Sequence, residues 1–365
     1  MRILTRYVLR EFLVPLGYCL SGFVGIYVLF DLFNLASRLI EAKPPVLTVV
    51  AYFFAYISPY VEYLLPAALM LATLYTMWNF CRHSEVTAMR ANGIGFTAIV
   101  RPLLSVAAVA TVAVALLNEF YAPDASEWAL GLRESRFKPV SGGVKEKVPF
   151  NNLPARRTWL VERMSLDNPN VLEEPTLSFD RPDGSRYLRI ACSKAEYLDG
   201  VWWLFDPSYI YFDENNMAIE NQCPALASLT IRSFPEFDET PRDFLLMNKP
   251  RRCYTMRDMV HYLQTHPKVD GRDRAGTRYD IGKRLIAPFS CLVITLFAIP
   301  AGVVTGRQSV IKGVIAAVAM FFGFYAAEML CMALAKRMWL PVPVAVILPN
   351  LTFLAAGLVL FHRQR

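Results

Sequence analysis

The sequence predicts an α-helical membrane protein with six transmembrane helices and an inserted all-β domain of the jelly-roll kind, on three observations. First, 55% of the 365 residues are hydrophobic and the mean hydropathy is +0.32, with charge-free runs long enough to cross a bilayer. Second, those runs fall into two groups, separated by a polar stretch in which short segments of period-two alternation recur about every ten residues between turn residues. Third, from Tyr121 to Tyr254 there are 20 acids against 17 Lys and Arg, whereas the rest of the chain has 11 acids against 21 bases. The overall charge of +7 therefore sits beside the apolar runs, as the positive-inside bias requires, and no stacking motif or basic repeat points to nucleic acid.

Taken in order, Arg2, Arg6 and Arg10 precede an apolar run from Phe12 to about Ser37. It is too long for a signal peptide and lacks a small-residue cleavage site, so it reads as an anchor helix. Pro44-Pro45 marks a loop. A second span covers about Val50 to Phe80, bent at Pro59 and Pro66, and a third about Phe96 to Phe120. Strands are expected at Thr176–Asp180, Arg186–Ala191, Val201–Phe205 and from Tyr209 to Phe212, with turns at Arg181–Gly184, Asp199-Gly200 and Glu214-Asn-Asn216. Residues up to about Phe137 are compatible with helix. After Pro241 helix returns, Thr255 and Asp258 forming a capping box. Spans four to six are expected at about Leu285–Val304, Gly313–Ala335 and Val342–Phe361. The domains are then 1–120, 121–254 and 255–365.

Basic residues orient the chain. With the N-terminus in the cytoplasm, one side holds Arg2, Arg6, Arg10, Arg82, Arg90, Arg101, Arg307, Lys312, Arg363 and Arg365, and the short loops opposite hold Arg38, Lys43, Lys336 and Arg337. The β domain is thereby expected outside the cytoplasmic membrane.

Between the second and third spans lies CRHSEVTAMRANGIG, Cys81–Gly95, a polar helix of about two turns. Ser84 is a candidate N-cap, Glu85 sits in the first turn where the helix dipole favours an anion, and Arg90 sits in the last turn where it favours a cation. Asn92-Gly93 ends it in the left-handed region. Such a helix cannot stand alone in water. It is either an interfacial turn or a docking element for a cytoplasmic partner, and the residues by themselves weigh both equally.

Catalytic and cofactor motifs are missing from the sequence. Gly302–Ser309 has the wrong spacing for a P-loop and no lysine, His83, His261, His266 and His362 make no metal-ligand spacing, and no GxSxG occurs. The chain therefore reads as a non-enzyme with no cofactor and no metal. Its seven cysteines form no CxxC pair, and Cys192, Cys223 and Cys253 allow at most one disulfide. Charge inside the spans is more informative. Asp31, Glu62 and Glu328 fall in the outer half of the membrane, where a carboxylate is costly. They are either structural ion pairs with Arg38 or Lys336, or the wall of a cavity for a charged amphiphile. Small residues from Gly313 to Ala327 permit close helix packing.

With these parts in place, the chain resembles the lipopolysaccharide export permeases of the LptF/LptG family over nearly its whole length. The resemblance rests on RYVLREFLVPL (Arg6–Leu16), SPYVEYLLPAALMLATL (Ser58–Leu74), SEVTAMRANGI (Ser84–Ile94), ACSKAEYLDGVWWL (Ala191–Leu204), ETPRDF (Glu239–Phe244), LIAPFSCLVITLFAIPAG (Leu285–Gly302) and VAVILPNLTFLAAGLVLF (Val344–Phe361). It implies a permease subunit of an ABC transporter in the bacterial inner membrane. The implied partners are a sister permease, a separate cytoplasmic ATPase, a periplasmic bridge protein and lipopolysaccharide. It makes Glu85 the coupling-helix glutamate that meets a basic groove on the ATPase, with Ser84, Arg90 and Gly93 around it, and makes Arg38 and Lys43 the nearest candidates for contact with the glycolipid's anionic groups. The competing reading is a membrane scaffold or sensor with an external ligand-binding β domain.

Overall fold

Apolar runs become helices because a backbone in hydrocarbon must satisfy its own hydrogen bonds. The computed structural model describes residues 2–135, 137, 144–152, 155–165, 168–213, 217–219, 230–247, 249–265, 271–303 and 310–363. Arg307, Arg365, Cys223, Glu214-Asn-Asn216, His266 and most of Gly302–Ser309 lie outside the described residues. The chain divides into two compact units, one of Met1–Phe137 with Gly271–Arg365 and one of Lys138–Asp270.

Among its described residues, the first unit has six helices long and apolar enough to cross a membrane. Helix α1 (Arg2–Ala42) is continuous through Pro15, and the second span, Val46–Arg82, is built from α2 (Val46–Ile57) and α3 (Val61–Arg82). They join through a 3-10 turn at Ser58–Tyr60, where Pro59 stands, so the expected bend is there, while Pro66 is accommodated inside α3. Two residues, His83 and Ser84, then lead to α4 (Glu85–Ala91).

The third span runs from Phe96 to Glu134, farther than its apolar stretch, through α5 (Phe96–Leu116), a π-helical turn at Leu117–Tyr121 and α6 (Ala122–Glu134). The change of character that composition places at Tyr121 is thus a change within a helix, and the division between units falls at Phe137.

The fourth span likewise begins well before its apolar run. Helix α9 (Gly271–Ile286), a 3-10 turn at Ala287–Phe289 and α10 (Ser290–Gly302) make one span, so Lys283 and Arg284 belong to it and not to a polar link. Helices α11 (Val310–Lys336) and α12 (Val342–Arg363) complete the set. The core of this unit is where α3, α5 and α10 cross, around Leu69, Ala72, Met77, Ile99, Leu103, Cys291 and Ile299. Gly302 permits the closest approach, since a Cβ there would lie 2.8 Å from the Cβ of Met77 and 3.1 Å from the Leu74 carbonyl oxygen.

The described residues of the second unit are built on a nine-stranded antiparallel sheet. Strands β1 (Val144–Asn152), β2 (Arg157–Ser165) and β3 (Val171–Asp180) form a meander. The far edge of β3 then forks. Its second half pairs with β4 (Arg186–Ala191) and its first half with β5 (Lys194–Leu198). Glu174, with φ 49°, and Pro175, which has no N–H, stand at the fork.

One branch continues through β7 (Ser208–Phe212) to β8 (Ala218–Ile219), the other through β6 (Val201–Phe205) to β9 (Ile231–Phe234). At their ends Arg232 of β9 donates to the Tyr209 hydroxyl of β7 at 3.1 Å. The branches enclose Trp159, Trp202, Leu177, Ile190 and Leu204, the inward half of each alternating strand. The strands expected at Arg186–Ala191 and Val201–Phe205 have those limits. Asp199 (φ 52°) and Gly200 (φ 81°) make the tight turn of a two-residue hairpin.

Helix α7 (Pro241–Met247) and α8 (Met256–Thr265) close this unit. The Thr255 N–H donates to Asp258 Oδ2 at 3.0 Å and the Asp258 N–H to Thr255 Oγ1 at 3.2 Å, the reciprocal bonds of a capping box. Burial opposes ionisation of Asp258, but the hydrogen bonds from Arg242 and Thr255 outweigh it and hold the carboxyl below its usual range. Neither Cys192 nor Cys253 is joined in a disulfide, and burial pushes the Cys192 thiol up to about 12.

Candidate functional site

Three clusters of the membrane unit hold charged side chains, the first around α4 and the other two where apolar surroundings make charge expensive. At α4, Ser84 adopts a left-handed conformation (φ 57°) and its side chain makes no capping bond, contrary to the sequence expectation. The reason is local. The chain leaves α3 through only two residues, with the Ser84 N–H bonded to the Cys81 carbonyl, and the reversal demands a positive φ that carries the hydroxyl away from the helix start. Glu85 therefore opens the helix.

The other end is closed fully. Gly93 takes the left-handed position (φ 78°), its N–H bonds the Arg90 carbonyl, and the Ile94 N–H bonds the Met89 carbonyl, the paired bonds of a Schellman motif. Val86, Met89 and Ile94 pack into the cluster that contains Val8, Phe12 and Phe80, so seven residues of helix are held by packing and not by propensity. Ala88 and Arg90 are exposed.

Glu85 is half-buried. The hydroxyl of Tyr7, on α1, donates to its two carboxylate oxygens at 3.1 and 2.9 Å, and the Tyr7 ring stacks on Phe80 at 5.9 Å. Tyr7 lies within the motif Arg6–Leu16, but nothing in linear spacing indicates that a residue of the first span meets a residue of the fourth helix.

The second cluster joins four helical elements. Lys283 Nζ on α9 lies 2.7 Å from Glu328 Oε1 on α11, 3.6 Å from Glu62 Oε1 on α3, and 3.0 Å from the Tyr63 hydroxyl. Asn118, in the π-helical turn, donates to Glu62 Oε2 at 2.8 Å. A π turn inserts an extra residue into the helix and so re-aims the side chains around it, here bringing an amide onto a carboxylate. Beside the ions is a cavity of about 10 Å³ lined by Tyr325, Asn350 and Ser290. Buried in its wall, the Tyr325 hydroxyl and Asn350 Oδ1 have no hydrogen-bond partner among the described residues.

Asp31 forms the third cluster. It accepts from the Tyr52 hydroxyl at 3.2 Å and lies 3.7 Å from Arg133 Nη1, while Arg133 also donates to the Tyr56 hydroxyl at 3.2 Å. Arg133 belongs to α6, the helix that composition alone assigns to the inserted domain.

The ion-pair partners named from the sequence, Arg38 and Lys336, are therefore replaced by Arg133 and Lys283. Arg38 instead donates to the Arg133 carbonyl at 3.4 Å. It and Lys43 are exposed near the end of α1. A signal for the true partners was present: three carboxylates in spans demand cations, and Lys283-Arg284 abuts the apolar run at Leu285. It becomes readable once α9 is seen to continue into the membrane.

Among the described residues, no group of His, Cys, Asp and Glu is arranged to hold a metal ion. A search of curated proteins returned no match. Residues 6–363 match the family described as lipopolysaccharide export system permease LptF/LptG. With six spans, an inserted antiparallel sheet and a match over nearly its full length, the chain belongs to the LptF/LptG family of lipopolysaccharide export system permeases.

Proposed function

We propose that this permease works beside a sister permease in an ABC transporter of the inner membrane. It draws lipopolysaccharide from the bilayer and passes it to a periplasmic bridge protein, with separate cytoplasmic ATPase subunits as the motor. Each buried CH₂ is worth about 0.8 kcal/mol, so extracting a molecule with several acyl chains costs on the order of tens of kcal/mol and needs an external energy source. In this reading the sheet of the second unit is the hand-over domain, and Arg38 and Lys43 meet anionic groups of the glycolipid. Asp31, Glu62 and Glu328 act through the ion pairs they hold.

The observation that carries the reading is the placement of Glu85. A short helix with exposed polar residues is fixed by packing between α3 and α5 and presents a carboxylate at its start. That is the geometry of a docking knob, and Ser84, Arg90 and Gly93 shape it. A carboxylate facing a basic groove on a partner is worth about 2–5 kcal/mol, because its loss strands the opposing charge.

Glu85→Ala is expected to weaken co-purification of the ATPase and lower glycolipid release from proteoliposomes, with Glu85→Lys worse because repulsion is added. Unchanged docking and unchanged release in both variants would refute the coupling role. Orientation has its own test. Ser84→Cys should react with a membrane-impermeant thiol reagent only from the cytoplasmic side, and Ser185→Cys only from the periplasmic side. Labelling of both from one side would overturn the assigned topology.

A further inference from the structure

The coupling-helix carboxylate is not a free knob. From the Tyr7 ring, stacked on Phe80 at 5.9 Å, a hydroxyl reaches both Glu85 oxygens at 3.1 and 2.9 Å. One phenolic proton shared between two carboxylate oxygens leaves lone pairs on each, so a basic side chain of a partner can engage the same carboxylate without displacing the tyrosine. Tyr7 stands on the first turns of α1, which packs on the core of the membrane unit through Val8 and Phe12. Helix α1 touches that core along one face. It continues unbroken to Ala42, past Arg38.

We infer that Tyr7 is a positioning residue that ties the coupling-helix carboxylate to the foot of α1, so that a pull on Glu85 by a docked ATPase moves the first span. The inference rests on the coupling role proposed for Glu85 and adds the path by which docking reaches the first span. A hydrogen bond to a charged acceptor is stronger than a neutral one, and a rigid aromatic stem transmits displacement with little slack. Val8, Phe12, Val86 and Met89 share one apolar cluster, which keeps α1 and α4 together. The hydrogen bond fixes which way α1 follows.

The test uses Tyr7→Phe in the complex of both permeases with the ATPase, reconstituted in proteoliposomes. The ring and its stack on Phe80 remain, and the hydroxyl alone is lost. The expected result is ATPase co-purification within about twofold of the unmodified chain and sustained ATP hydrolysis, with glycolipid released per ATP falling about tenfold, the scale of one hydrogen bond to a charged group. In a Glu85→Ala background, Tyr7→Phe should add no further loss of release, because the two residues act as one unit. Additive losses would assign Tyr7 an independent structural role and overturn the inference. So would release per ATP equal to the unmodified chain, or docking lost as completely as in Glu85→Ala. If Glu85→Ala itself docks and exports normally, the coupling reading fails. If Glu85→Ala fails while Tyr7→Phe is normal, only the transmission path does.

Discussion

Lys283→Met is expected to unfold or scatter the membrane unit, lowering stability by about 3–5 kcal/mol, because it strands two carboxylates in a low-dielectric site. Lys283 lies between Glu62 and Glu328, whose side chains are 14% and 16% exposed, and also meets the Tyr63 hydroxyl. The Tyr279 hydroxyl of α9 also donates to the Glu328 carbonyl of α11 at 3.2 Å, and the remaining contacts are apolar, as in the cluster that holds Met70 and Leu74 of α3 with Ala317 and Phe324 of α11. Apolar contacts do not discriminate against small slides of one helix past another, whereas a single ammonium fixes α3, α9 and α11 to one point. The measurement is thermal stability and monodispersity of the detergent-solubilised chain. The triple variant Lys283→Met, Glu62→Gln, Glu328→Gln should recover much of the loss, because a neutral hydrogen-bonding set has no stranded charge. If Lys283→Met is as stable as the unmodified chain, the cluster is not what holds these helices. If the triple variant is no better than the single one, charge balance is not the reason.

In the second unit, Arg157→Ala should cost a comparable amount, about 3–5 kcal/mol. Arg157 and Glu239 pair in a fork, Nε to Oε1 at 2.8 Å and Nη2 to Oε2 at 2.9 Å, with side chains only 6% and 1% exposed. Asn152 adds a bond to Glu239 Oε1 at 2.8 Å, and Trp202 Nε1 donates to the Glu239 carbonyl at 2.6 Å. The guanidinium lies 4.1 Å from the Phe237 ring centre, so the ion pair is roofed by aromatic carbon. Removing Arg157 leaves a carboxylate there with one amide as partner. Arg157→Lys should rescue poorly, since an ammonium cannot make two parallel bonds. The check is protease protection of the 144–265 region in the full chain, compared among Arg157→Ala, Arg157→Lys and the charge-neutral pair Arg157→Met with Glu239→Gln. Equal protection in all of them would mean that the apolar core around Trp159 and Phe244 holds the unit unaided.

These two sites show where linear reading succeeds and where it stops. Alternation and an Asp-Gly turn gave strands β4 and β6 their limits, because side-chain period and turn chemistry are local. The capping box at Thr255 was legible for the same reason, since its partners are three residues apart. Ser84 was not. The hydroxyl was correct for a cap, but the helix before it ends too close, and the reversal takes the φ that a cap cannot use. Glu239 was recognisable only as part of a motif, and its partner Arg157 lies 82 residues away.

The amino-acid sequence by itself determined the class of this protein. Six apolar runs around a polar, alternating insert admit few other folds, because hydrocarbon rejects an unsatisfied backbone and a sheet rejects the wrong period. It also determined that three acids would sit in spans and that a short polar helix would lie between the second and third. Only the tertiary structure decided what those charges do. Helix α9 carries Lys283 into the membrane because Glu62 and Glu328, 221 residues before it and 45 after it, need a cation. Helix α6 brings Arg133 to Asp31, and α1 brings Tyr7 to Glu85. Each of these is an electrostatic pairing between distant elements. Composition and periodicity set which segments are buried, but the energy of a buried charge depends on the neighbour that folding supplies.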